Sequence, residues 1–196
     1  MDITDCRDIT SLQAILFMIL FLQTSSNLST CYSYIGLALR SALRMGLHRN
    51  ISSNFNLIER EVRRRAFWVI RKMDTYVSAL LGFPRMLSDE DIDQELPIEV
   101  DDEYITRDGL LPIPAGTISQ YVASNAHTRL MDILAKAVRY IYPFKGVESC
   151  LSASSRPTYN ISLAKIREVE RDLNDWHDKL PPGFQPGSDA SEEILR

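Results

Sequence analysis

Cysteine is scarce in this chain. Cys6, Cys31 and Cys150 stand far apart among 196 residues, so no disulfide framework is suggested and no C-x-x-C pair starts a zinc site. Buried thiols in a reducing compartment are expected instead. Glycine is also scarce, at 8 residues, and long stretches lack both glycine and proline. That argues for helices, because both residues punctuate regular structure. No alternation of polar and apolar residues is long enough to argue for a sheet. Catalytic signatures are missing too: there is no His-x-x-x-His, no Gly-x-Ser-x-Gly, no Gly-x-Gly-x-x-Gly and no Gly-Lys-Ser/Thr phosphate loop. His48, His127 and His177 have no partner at a metal-ligand spacing. A helical enzyme is therefore not expected, and neither is a cofactor.

Positive charge is in deficit. The formal net charge is -4 and the pI about 5.4, whereas a domain that grips DNA by itself carries a basic face. Long hydrophobic runs are missing as well. The longest, Ala14 to Leu22, is much shorter than the roughly 20 residues a membrane span needs. The acidic Asp2, Asp5 and Asp8 ahead of it are the wrong flank for a signal peptide. A buried helix, apolar on several sides, is expected there.

What is present reads as an all-α chain, an irregular array of about five main helices with a loop-rich acidic insertion. The first helix is expected over 9–24 with Asp8 or Thr10 as N-cap, the second over 30–47, the third over 57–81, the fourth over 118–141 and the fifth over 159–180. The body would run over 1–181 and a mobile tail over 182–196. Gly36, Ala38, Ser41 and Ala42 on the second helix would let a neighbouring helix approach closely. Asn56 is expected to cap the third helix, where Glu59 and Glu61 precede Arg63 and Arg65 by four residues, the favourable order for ion pairs. Gly82 is placed to end that helix in a left-handed conformation, and Pro84 keeps it from resuming. Ile166, Val169, Leu173, Trp176 and Leu180 form a narrow apolar seam on the fifth helix.

The sharpest local feature is acidic. Nine carboxylates lie between Asp89 and Glu103 with no Lys or Arg among them. Asp89, Asp91 and Asp93 copy the opening of a calcium-binding loop, but Gln94 stands where glycine is needed and Val100 where the bidentate Glu belongs. Calcium is not expected. Two readings stand: a solvated acidic loop, or a surface that docks on a basic partner or on the chain's own basic helix. The third helix is that basic element, with Arg60, Arg63, Arg64, Arg65, Arg71 and Lys72 scattered around it. A solvated, ion-paired face is the simpler expectation, with docking onto acidic residues of the same chain second. Phe67 and Trp68 are expected in the core. Asp74 falls on the apolar part of the helix, where a partly buried carboxylate can serve as a general base; the simpler expectation is a paired structural group, for example with an Arg from a neighbouring helix. Asp172 and Asp175 are expected on a solvated face.

Taken in order, these residues resemble the central regulatory region of fungal zinc-cluster transcription factors. The resemblance rests on Gly36, Ala38, Arg40, Ala42, Gly46, Leu47, His48 and Arg49, then on Glu61, Arg63, Arg64, Arg65, Phe67, Trp68, Asp74, Ser78, Gly82, Pro84, Asp91, Asp93, Leu96 and Pro97. It covers about residues 11–100 and is thinner over 118–181, where Trp176 to Pro181 match. Thr75 departs from the family's usual Arg. The resemblance implies transcriptional regulation in the nucleus, with co-regulators or a small-molecule inducer as partners and a possible homodimer. Zinc and DNA binding would belong to a six-cysteine head that does not precede Met1, so a truncated or headless member is expected. Regulatory candidates are His48, Arg49, Arg64, Arg65, Trp68, Asp74, Gly82, Pro84, Asp89, Asp91, Asp93 and Pro97, with the loop from Gly82 to Pro114 as the adjustable part because it is acidic and poor in core residues.

Overall fold

The computed structural model describes residues 6–50, 55–114, 116–141 and 162–185. It is all-α: α1 spans Ile9–Thr24, α2 Leu28–Arg44, α3 Leu57–Leu81, α4 Gln120–Ile141 and α5 Leu163–Asp178. Among the described residues there is no strand, only an isolated bridge between Ile105 and Leu110. The chain packs as two compact units, one through Thr128 and one from Arg129. The expected tail over 182–196 falls mostly outside the described residues, as do Cys150 and Pro143.

Helix boundaries follow from local chemistry. Asp8 caps α1: its carboxylate accepts from the Ser11 N–H at 2.8 Å and from the Ser11 hydroxyl. Those bonds hold the Asp8 carboxyl below its ordinary range. α2 ends in a Schellman turn. Gly46, at φ 70°, donates to the Leu43 carbonyl and Leu47 donates to the Ala42 carbonyl, both at 3.0 Å. This turn ends α2 at Arg44, three residues before the expected end, and drives Leu47 into the core. α3 opens with a reciprocal capping box between Asn56 and Glu59. It closes at Gly82, whose φ of 69° is the left-handed conformation the sequence pointed to.

The core of the first unit lies where α1, α2 and α3 meet. Leu12, Ile15, Leu16 and Ile19 of α1 pack with Ile35, Ala38, Leu39 and Ala42 of α2 and with Phe67, Ile70 and Val77 of α3. Cys31 is buried there, and burial pushes its thiol up, away from the reactive thiolate. Thr75 is buried with its hydroxyl unpartnered among the described residues. Two expectations need correction. α1 is not buried on several sides: only one stripe faces the core, and Phe17 and Phe21 stand 72% and 70% exposed. Gly36 admits not another helix but a loop side chain, since an added Cβ would lie 3.1 Å from the Met86 methyl.

In the second unit, Lys136 of α4 bonds Glu168 at 2.5 Å and Asp172 at 2.6 Å on α5. Tyr140 donates to Glu168 at 3.1 Å. The hydrogen bonds to Asp172 and Glu168 raise the Lys136 pKa. Asp172 is thus a paired group rather than part of a solvated face. The α5 seam is also more open than its pattern implies, because Ile166 and Leu173 are exposed and only Leu180, past the helix end, is buried. No helix among the described residues is long and apolar enough to cross a membrane.

The asymmetry of α1 predicts an asymmetric response to mutation. Ile19→Ala should cost about 2–5 kcal/mol of unfolding free energy, whereas Phe21→Ser should stay within about 0.5 kcal/mol. Urea unfolding followed by circular dichroism measures both.

Candidate functional site

The basic side chains of α3 and the acidic segment that follows it are not separate: the arginines are largely covered, and the carboxylates that meet them stay open to solvent on the outer side. After Gly82 the chain turns back and runs antiparallel along α3, as a strap over residues 84–104. The pairing shows the direction: strap numbers rise as helix numbers fall. Met86 N–H donates to Asp74 at 3.1 Å. Asp89 meets Arg71. The Glu95 carbonyl accepts from the Trp68 indole N–H at 2.7 Å. Glu95 bonds Arg64 at 2.9 Å, and Ile98 N–H donates to Glu61 at 3.0 Å. Beyond this, Arg65 meets Asp102 and donates to the Val100 carbonyl at 3.1 Å.

Glu61 is the centre of this pairing. It is 1% exposed. One oxygen accepts from Arg64 at 2.7 Å, and the other takes the Ile98 N–H and lies 3.7 Å from Arg65. A carboxylate this deep persists only because charged donors and a backbone N–H replace water. Of the two ion pairs expected from the four-residue spacing, Glu61 with Arg65 forms. Glu59 turns back to its capping box instead, and Arg63 donates to the Met45 carbonyl at 2.7 Å.

The chain of bonds extends to both sides. Gln94 donates to the Leu47 and Arg49 carbonyls, each at 2.9 Å, and Asp93 N–H donates to the His48 carbonyl at 2.9 Å. The strap is thereby tied to the turn after α2. Asn125 of α4 donates to the buried Pro97 carbonyl at 2.9 Å, and Ser119 donates to Asp101 at 2.7 Å. Tyr121 lies under the Arg65 guanidinium, 3.5 Å from its ring centroid. Burial lowers the His48 pKa, with neighbouring Arg49 adding to the effect and Asp91 opposing it.

Most of the candidate residues therefore converge. Arg64, Arg65, Trp68, Asp74, Asp89, Asp93 and Pro97 lie along the strap contact, His48 and Arg49 at its turn, and Gly82 and Pro84 where it begins. Asp91 is exposed on a short 3-10 turn and takes no part in the side-chain bonding. Both Asp89 oxygens are taken by Arg71 and Arg85. Burial acts to raise the Asp89 carboxyl, but these guanidinium bonds hold it below its ordinary range. Asp74 is a structural group, though its partners are the Met86 N–H and the Ser78 hydroxyl rather than an arginine of another helix. Burial raises its pKa against those bonds. The insertion also supplies more core than expected, through Leu87, Val100 and Ile105. What sequence reasoning missed is Glu61 and Gln94 as the joints. Glu61 carried a signal, since a carboxylate one position from the apolar stripe is well placed to be drawn inward.

The sequence matches known proteins. The fungal specific transcription factor domain matches residues 1–178, so the chain belongs to that family, a family of transcription factors rather than enzymes. Among its relatives, the activator of stress genes protein 1 of Candida albicans is 43% identical over 94% of this chain and 20% of its own length. The activator of stress genes 1 of Saccharomyces cerevisiae is 42% identical over 96% of this chain and 19% of its own. An ABC-transporter-regulating transcription factor of Aspergillus fumigatus is 29% identical over 91% and 19%. The chain thus spans about a fifth of the length of these curated relatives. No solved structure matches it.

Two substitutions test the site. Glu61→Ala removes the buried carboxylate shared by Arg64 and Arg65, leaving them only the exposed Glu95 and Asp102, orphans the Ile98 N–H, and should cost about 3–5 kcal/mol. Asp93→Asn, at an exposed side chain, should stay within about 0.5 kcal/mol. Both are read from the urea midpoint. Asp74 is tested through pH. Its folded pKa exceeds its unfolded one, so the folded state binds the extra proton and stability falls as pH rises through that window. Asp74→Asn keeps an acceptor for Met86 and should flatten that decline in melting temperature above about pH 4.

Proposed function

We propose that the chain is the regulatory domain of a fungal transcription factor and that the strap over 84–104 is its switch. In this reading the docked strap is one state and a strap lifted from α3 is the other. An effector or co-regulator that binds one state better shifts the balance between them. Family membership supports a role in RNA polymerase II transcription in the nucleus. DNA and zinc binding would come from a part of the protein outside these residues. The observation that supports the reading is the chemistry of the strap contact. Between its buried anchors, Leu87, Pro97 and Val100, it is made of ion pairs and hydrogen bonds on one long helix, which a partner of matching charge can compete for.

A second reading, a helical scaffold that holds other proteins without sensing, draws on the outward Phe17 and Phe21 of α1. A thermal shift on adding an inducer separates the two, because a ligand that binds only the native state raises the melting point.

The switch is tested in the whole factor with a reporter gene. Asp89 is half-exposed although its partner Arg71 is buried, and a contribution of about 1 kcal/mol from such a pair moves a two-state balance by about fivefold. Asp89→Asn should accordingly change uninduced output about two- to fivefold and compress the induction ratio. Asp91→Asn should leave both unchanged. Equal behaviour of the two variants would count against the strap as the switch.

A further inference from the structure

A pocket of about 180 Å³ lies between the turn after α2 and the first turns of α3. Its wall is unusual in charge. Arg49, Arg60, Arg63 and Arg64 line it together with Phe55 and Gln94, and among the described residues no carboxylate does. Arg60, Arg63 and Arg64 fall at helical positions that share a face, so α3 presents them as a group.

Their partners are unequal. Arg64 is neutralised by Glu61 and Glu95. Arg63 donates to the Met45 carbonyl, a neutral acceptor, and lies over the Phe55 ring at 4.3 Å. The carboxylate that acts on it, Glu59, is bonded back to Asn56, and Asp8 lines a separate cavity on its other side. Burial lowers the Arg63 pKa, the mark of a cation held away from water. Arg49 bonds the neutral His48 ring nitrogen at 3.2 Å. Arg60 is the telling one: its Nε is shielded from solvent and has no hydrogen-bond partner among the described residues. A buried guanidinium donor without an acceptor is costly, and the adjoining space is large enough to hold one.

We propose that this pocket binds a compact oxyanion, a small metabolite with a phosphate or carboxylate head, through Arg49, Arg60 and Arg63. Guanidinium forks match both heads in bidentate geometry. The volume limits the ligand, being below the roughly 300 Å³ at which drug-sized sites begin and several times the roughly 30 Å³ share of one water. Phe55 offers an apolar wall to the rest of the molecule. The binding stands on this geometry alone. Gln94, which lines the pocket and ties the strap to the turn after α2, would carry occupancy to the strap, and only that link rests on the regulatory reading above.

The test uses the purified chain with inorganic phosphate and with malonate, each against sodium chloride at matched ionic strength. For a dissociation constant near about 1 mM, addition of ~10 mM oxyanion should raise the melting temperature by about 3 °C or more beyond chloride. Arg60→Gln should weaken binding of the responding anion at least about tenfold by titration calorimetry, while keeping the helical circular dichroism. If Arg60→Gln does not fold, Arg49→Gln carries the same expectation. A response to either oxyanion that the variant loses supports the site. A shift no larger than chloride's, or one that persists in the folded variant, overturns it. Because binding is read on the purified domain and strap release in the reporter, either can fail without the other.

Discussion

The first unit depends on how one carboxylate is kept out of water. Glu61 lies at the bottom of the strap contact, with two arginines and a strap N–H around it. Burying a charge is unfavourable unless each lone pair finds a donor. The donors come from two places: Arg64 and Arg65 lie one turn further along the same helix, and Ile98 arrives with the strap. The strap is thus part of the solvation of α3. The helix can keep its charged row inward only while the strap is there to close it.

The same constraint explains why the basic face of α3 is not an open basic surface. Arg64, Arg65 and Arg71 each spend their charge on the strap. The acidic run from Asp89 to Glu103 and the basic run from Arg60 to Lys72 are two halves of one internal contact, and the modest net charge of the chain follows. The exception is the end of α3 nearest the turn after α2. There the capping box occupies Glu59 and the strap does not cover Arg60 and Arg63, so positive charge is left facing a pocket.

Much of this fold was legible in the residues. The all-α class, the Asp8 and Asn56 caps, and the left-handed Gly82 all follow from local rules that act within a few positions. The family followed from a particular order of residues, several of which prove to be turn and strap positions: Gly46 and Leu47 in the Schellman turn, Pro97 and Trp68 in the strap contact. Long-range features were not legible. Helical periodicity locates charges on a face but does not say what faces them, so the arginines suggested a solvated surface. An apolar circumference likewise does not say how many neighbours a helix has. α1 finds partners on one side only, and its phenylalanines point outward. The α5 seam misled in the same way. Asp172 looked solvated because its partner, Lys136, lies 36 positions away.

The direction of the strap has a mechanical consequence. Its near end is covalently continuous with α3 through Gly82, so that end cannot leave. Its contacts descend the helix as far as Glu61, with side ties to the turn after α2 and to α4 and with the Arg65 and Asp102 pair toward the far end. A tug on the chain beyond Tyr104 would therefore load these bonds one after another, as tape is peeled from a rod, and the Glu61 joint would be reached before the bonds nearest the hinge.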